Sequence, residues 1–270
     1  MLTKIDQVNV LIVGASQGIG LGFVRALLPQ ENIQQIFATY RQSQTASELL
    51  ELSQQYGHRL KCLQVDVTVE SQIVQAIELL KQEVTELHLV IYCVGVLHGA
   101  YKPRGRLAGT DPYEGKLSPE KSLKQIEPEN LIYSFQVNSI GAVLLAKHLM
   151  PLFKKTTQRS IFACISAKVG SIGDNRLGGW YGYRASKAAL NMLLKTTAIE
   201  YSRRCPKTIV VALHPGTTDT KLSQPFQKNV PEDKLFPVEH TVKLLSQVIA
   251  NLELKDSGEF FAWDGSKLPW

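Results

Sequence analysis

Val10-Leu11-Ile12-Val13-Gly14-Ala15-Ser16-Gln17-Gly18-Ile19-Gly20 is the stretch whose reading decides the fold. Its apolar run reads as a strand buried on both faces, and the glycines after it as a turn that opens a helix. Gly14 permits a tight turn, Gly18 lets the backbone approach a ligand closely, and Gly20 lets helix and strand pack. Amide N–H groups from Gly18 to Leu21 have no partner inside the helix and lie at the positive end of its dipole. They suit a pyrophosphate, with Ser16, Gln17 and Ile19 completing the loop. A turn of this composition without a ligand is the bland alternative. The Lys-Ser/Thr ending of a triphosphate-binding loop is missing, which argues against that class.

The same alternation continues outward. Val8–Val13 reads as the first strand, residues 18–28 as its helix, and residues 36–39 as a short second strand. Helical periods over 45–55 and 70–82 flank a strand at 60–65, and a further strand covers 87–93. A long Gly- and Pro-containing connection leads to a helix expected over 128–152. Ser160–Ile165, a helix carrying Tyr183 and Lys187, a strand at 208–213, a helix over 238–250 and a last strand near 260–263 complete the series. Continuously apolar runs predict parallel strands covered on both faces. The fold class is therefore α/β: a doubly wound, mostly parallel sheet of about seven strands in a single domain over residues 1–270. Two weakly patterned stretches, 97–124 and 218–236, follow the carboxyl ends of strands, where open α/β sheets bind ligands. Both are expected to wall or cover a pocket.

Composition narrows the function classes. The chain of 270 residues is 44% apolar and 20% charged, and no run approaches the length of a membrane span. No secretory pattern opens it. The net charge of +6 reads as a solvated basic surface rather than a nucleic-acid interface, since the densest cluster, Lys102-Pro103-Arg104-Gly105-Arg106, is broken by Pro and Gly. Cys62, Cys93, Cys164 and Cys205 form no Cys-x-x-Cys pair, which fits a reducing, cytoplasmic setting. The histidines show no metal-like spacing, so no metal is expected, and His214 beside Pro215-Gly216 is read as structural.

The end of the second strand faces the adenosine ribose in such a fold. An acid there favours NAD, and an arginine accommodates the 2′-phosphate of NADP. Arg41 stands there in Thr39-Tyr40-Arg41-Gln42, so NADP(H) is preferred over NAD(H), a solvated surface charge being the alternative. Asp66 and Val67 follow the third strand. The Asp66 carboxylate is expected on the adenine amino group or as the cap of the next helix. Val94 and Gly95 follow the fourth strand, where small residues let the backbone lie against adenosine. Pro215, Gly216, Thr217 and Thr218 follow the sixth, as a rigid turn beneath the nicotinamide with hydroxyls toward phosphate or amide.

Tyr183 and Lys187 are one helical turn apart, so both lie on one helix face. An ammonium beside a phenol favours the phenolate and lowers its pKa. Such a pair suits hydride transfer between nicotinamide and a carbonyl or alcohol, in which a residue must give or take a proton. Ser166, at the end of the fifth strand, is expected to orient the carbonyl oxygen, with Ser171 the alternative. Asn138, on the preceding helix, is expected to hold a water linking Lys187 to solvent.

These motifs, in this order, resemble the short-chain dehydrogenase/reductase family over nearly the whole chain. The glycine loop resembles the family's cofactor loop, Asp66 its adenine contact, Asn138 its helix asparagine, Tyr183 and Lys187 its active pair, and Pro215-Gly216 its turn. The resemblance implies a single-domain NAD(P)-dependent oxidoreductase acting on a small carbonyl or alcohol. It also implies a homodimer or homotetramer formed through the helices around Asn138 and Tyr183. Ser166-Ala167-Lys168-Val169-Gly170-Ser171-Ile172-Gly173 and Gly178-Gly179-Trp180-Tyr181 look like the C-factor branch, which contains cell–cell signalling proteins and is related to the Sniffer-type carbonyl reductases. The chain departs from the pattern, most directly at the cofactor wall and at the serine; the segment before Tyr183 is also longer than the family's by about three residues. Tyr92-Cys93-Val94-Gly95 replaces Asn-Asn-Ala-Gly, and Ala167 stands where the family commonly has its catalytic serine. Those departures leave open a cofactor-binding sensor or signalling protein with little turnover. The enlarged stretch after the fourth strand, with Tyr101, Arg104 and Arg106, is expected to shape substrate access.

Overall fold

Every strand of the central sheet runs parallel to its neighbours. The computed structural model describes residues 7–101 and 115–270. Its sheet strands are β1 (Val8–Val13), β2 (Ile33–Tyr40), β3 (Leu60–Gln64), β4 (Leu89–Tyr92), β5 (Ser160–Ile165), β6 (Thr208–His214) and β7 (Phe260–Ala262). They lie in the order β7-β6-β5-β4-β1-β2-β3. The chain thus leaves β1 toward one edge and restarts at β4 toward the other. That reversal opens a crevice at the carboxyl ends of β1 and β4, where the glycine loop lies.

Apolar runs in β1, β4, β5 and β6 are buried end to end, because helices cover both faces. One face packs Val10, Ile12, Ile91 and Val211 against α1 (Gly18–Leu27) and α7 (Val238–Asn251). The other packs Leu11, Val90, Phe162 and Val210 against α3 (Glu70–Glu83) and the helices that follow β4 and β5. Helix α2 (Ser47–Tyr56) lies beside β3. Among the described residues no helix is long and apolar enough to cross a membrane.

Three details refine the sequence expectation. The helix expected over 128–152 runs unbroken from Pro128 to Lys154, with a π turn (Gln136–Ile140) between α4 (Pro128–Phe135) and α5 (Gly141–Lys154). The π turn is the segment that presents Asn138 inward. The enlarged stretch holds a small antiparallel pair, Gly99–Tyr101 with Gly115–Leu117. There Tyr101 stacks on Tyr133 at 4.0 Å and donates to Asn130 Oδ1, so its ring packs the connection instead of walling the pocket. Arg104, Arg106 and the basic cluster around them lie outside the described residues. Finally, 218–236 is built from 3-10 turns (Gln224–Asn229 and Glu232–Lys234) and a two-residue pairing of Thr217–Thr218 with Leu235–Phe236.

Candidate active site

A cavity of about 990 Å³ runs along the carboxyl ends of the strands, a volume suited to a cofactor with a small substrate. Its floor is the glycine loop. Gly14, Gly18 and Gly20 line it with Ser16, Gln17 and Ile19. Gly14 and Gly18 have φ of 82° and 55°, the left-handed region open to glycine. A Cβ on Gly14 would meet Val94 Cγ2 at 2.7 Å, and one on Gly20 would overlap the Gly14 carbonyl. Helix α1 starts with no side-chain cap and no acid in its first turn, which leaves its N–H groups facing the cavity floor. Thr39 holds the loop from β2: its hydroxyl accepts from Gly14 N at 3.0 Å and its carbonyl from Ala15 N at 2.7 Å. A lone threonine in an apolar strand was the available signal for this role.

Arg41 follows β2 on the cavity rim with Thr45 and Ser47, and its Nη1 donates to Tyr133 Oη at 3.1 Å. Arg25 and Glu48 form an ion pair on the same rim, unremarked in the sequence. Asp66 and Val67 line the wall after β3. The expectation that Asp66 caps α3 is corrected: the helix begins at Glu70 behind Val69, whereas Asp66 Oδ1 accepts from Thr68 N and Oγ1 at 3.0 and 2.6 Å. Three residues, Val67 to Val69, separate Asp66 from the helix, too far for an N-cap, and the carboxylate closes a local turn instead. Val94, Gly95, Pro215, Gly216, Thr217 and Thr218 also line the cavity. The Thr218 hydroxyl, however, bonds Thr241 Oγ1 on α7 at 2.9 Å and so is turned from the cavity.

Helix α6 (Tyr181–Arg204) carries Tyr183 and Lys187 onto one face, and both line the cavity. Lys187 is buried and its Nζ donates to Ile165 O at 2.9 Å, 5.8 Å from the centre of the Tyr183 ring. Burial lowers the ammonium pKa to about 8, partly offset by the Cys164 and Cys93 thiols. Burial also raises the Tyr183 phenol above its ordinary value. Desolvation of the phenolate sets that direction, and the Lys187 ammonium is aimed at the Ile165 carbonyl. A neutral phenol at physiological pH is a proton donor.

Asn138 is fully buried and off the cavity wall. Its Oδ1 accepts from Val96 N at 2.7 Å, while Nδ2 donates to Val96 O at 2.9 Å and Ser186 Oγ at 3.0 Å. It clamps the backbone after β4 to α6, and its oxygen and Lys187 Nζ both lie 3.6 Å from where a Gly95 Cβ would stand. Tyr92, replacing the family asparagine, donates to Val137 O at 2.8 Å and so joins the same π turn to the sheet. Ser166 directly follows β5 on the cavity wall and donates to Asn191 Oδ1 at 2.7 Å; Ser171 is off that wall, with its hydroxyl on Trp270 O. His214 also lines the cavity, where burial lowers its pKa to about 4.

Sequence reading missed what aims α6. Glu120 is buried, and its Oε2 accepts from Gly182 N at 3.1 Å while its carbonyl accepts from Trp180 N. A carboxylate at the first turn completes an orphan donor and favours the helix dipole. Trp180, just before the helix, has φ 52°, the one left-handed non-glycine backbone among the described residues, a conformation that costs on the order of 1–3 kcal/mol. Arg184 braces the turn, donating to the carbonyls of Gly178, Gly179 and Val169.

Comparison with known proteins agrees with this architecture. The family model for short chain dehydrogenases matches residues 8–231. An uncharacterised oxidoreductase of Schizosaccharomyces pombe is 26% identical, with 96% of each chain covered. The C-signal protein of Myxococcus xanthus is 29% identical over 149 residues, covering 55% of this chain and 84% of that one. The NADPH-bound carbonyl reductase from chicken fatty liver superposes with a TM-score of 0.82 at 29% identity, over 98% of this chain and 100% of that one. The chain belongs to the short-chain dehydrogenase/reductase family and is an oxidoreductase with carbonyl reductases among its relatives.

Proposed function

We propose that this chain is an NADP(H)-dependent carbonyl reductase in which Tyr183 is the proton donor. The observation that carries the reading is the meeting of the Tyr183/Lys187 face of α6 with the glycine loop in one cavity. When bound, the nicotinamide supplies a hydride to the carbonyl carbon. Tyr183 gives its phenolic proton to the carbonyl oxygen, so an O–H bond forms on the product alcohol as the tyrosine O–H breaks. The phenolate left behind is stabilised by the Lys187 ammonium and takes its next proton from water; in the oxidative direction the same phenolate accepts the alcohol proton. Ser166, directly after β5 on the cavity wall, is the hydroxyl assigned to the carbonyl oxygen, to which it donates on turning its proton away from Asn191 Oδ1. Asn138 is a positioning residue, since its amide is committed to Val96 and Ser186.

NADP over NAD rests on Arg41, with Thr45 and Ser47 beside it to receive a 2′-phosphate. The chicken enzyme's bound NADPH supports the same choice. Pairing of copies through α4 and α6 belongs to this reading too: Ile132, Met192 and Ile199 are exposed at 57%, 67% and 51%.

Tyr183→Phe is the test. Turnover is expected to fall roughly 100-fold or more, with cofactor affinity by fluorescence titration little changed. Unchanged turnover removes the assignment. A binding role is favoured by Ala167 and by the likeness to C-signal. Tight NADP(H) binding with no turnover by the unsubstituted protein over a broad carbonyl panel is the result that selects it.

A further inference from the structure

We infer that Trp180 and Phe226 form a stacking subsite that selects carbonyl substrates bearing an aromatic ring. The inference rests on the reading of Tyr183 as the proton donor and concerns what is held beside it.

The cavity continues past Tyr183 to a wall made by Trp180, Phe226, His98 and Val169. Its ring centres are close: Trp180 to Phe226 5.0 Å, Trp180 to Tyr183 6.3 Å, and His98 to Phe226 5.7 Å. The interplanar angles of 59°, 72° and 65° leave these rings tilted or edge-on to one another. Ring faces not consumed by mutual stacking remain for an incoming ring, and aromatic pairs at such separations attract beyond the area they bury. The imidazole Nε2 of His98 faces the carbonyl oxygens of Lys221 and Leu222, so the chain itself occupies that polar atom.

The backbone beneath Trp180 gives a second, independent reason. Gly178, Gly179 and Trp180 are consecutive left-handed residues, with φ of 64°, 65° and 52°. Glycine serves such a turn without strain, and two of the three positions have it. The third carries the largest side chain in the protein alphabet, in a conformation that a bulky residue rarely adopts. The indole is only partly buried, so filling the core does not explain it. What the strained backbone achieves is to set the indole near-perpendicular to the Tyr183 ring, on the cavity wall. Phe226 reaches Trp180 from the 3-10 turn Gln224–Asn229, so the two rings come from different loops.

The probes are 1-phenyl-1,2-propanedione and 2,3-hexanedione, which present the same vicinal dicarbonyl with and without a ring. The unsubstituted protein is expected to show the lower KM for the phenyl ketone. Trp180→Ala and Phe226→Leu should each reduce the KM ratio of the two ketones roughly threefold to tenfold, the range of an aromatic contact, and Trp180→Phe should restore most of it. Trp180→Gly separates ring from backbone: it relieves the strain, so stability should rise while the ratio still collapses. If neither ketone turns over, the same ratio is read from dissociation constants by calorimetry on NADP-loaded protein. A ratio near one in the unsubstituted protein, or one untouched by both truncations, overturns the subsite. Turnover of either ketone that survives Tyr183→Phe would instead overturn the proton-donor assignment, so the two failures are distinguishable.

Discussion

At the scale of single residues, Lys187 shows what the cavity asks of its side chains. A lysine in water titrates near 10.5, and burial brings this one to about 8. Between those two values the unfolded chain holds a proton that the folded chain has released, so stability rises with pH there. Below pH 8 both states are protonated and the full cost of burying the ammonium is felt. Lys187→Met should abolish this dependence: between pH 7 and 9.5 the unsubstituted protein should gain about 2 kcal/mol relative to the variant, measured by urea unfolding at both values. Equal pH slopes would show that the ammonium is not desolvated. Protein stability is thus lost to keep a cation beside Tyr183, as expected where binding or chemistry needs the charge.

Among the elements, α6 is the one whose exact placement decides the site. Its start is defined by Glu120, 62 residues before the Gly182 it holds, and not by a capping residue of its own. Glu120→Ala removes the acceptor of Gly182 N, and should destabilise the protein by about 1–2 kcal/mol and lower kcat by misplacing Tyr183. Glu120→Gln keeps an amide oxygen there and should recover most of both in denaturant unfolding and steady-state assays. Equivalent behaviour of the two variants would mean that the cap does not position the helix. The π turn at Gln136–Ile140 acts in the same way on the other side, since Asn138 ties it to the backbone at Val96. Such links run between segments far apart in the chain. The 3.6-residue period of 128–152 predicts the helix that is present but contains no sign of these links or of the π turn within it.

For the whole molecule, the sheet order gathers the glycine loop, the β2 end and the α6 face at one edge. A ligand that binds only the folded state adds stability, about 2.7 kcal/mol at a hundredfold excess over Kd. Equal concentrations of NADP and NAD should therefore raise Tm unequally, NADP more, and Arg41→Ala should remove most of the difference. A variant that keeps the difference would place the 2′-phosphate contact elsewhere, with Arg25 the next cation on that rim.

How much of this was legible beforehand follows from the range over which each force acts. Glycine spacing, apolar runs and the Tyr183–Lys187 interval are local, set by backbone sterics and helix period, and from them the α/β sheet was readable, as were the glycine turn and the shared face of Tyr183 and Lys187 that line one cavity. What surrounds the pair was not. The Glu120 cap, the Asn138 clamp, the left-handed Trp180 and the desolvation that raises the Tyr183 pKa all depend on burial and on hydrogen bonds closed across long loops. The sequence by itself determined which residues could transfer a proton. Only the tertiary structure decided their protonation and their neighbours, because burial and long-range contact exist only once the chain has folded.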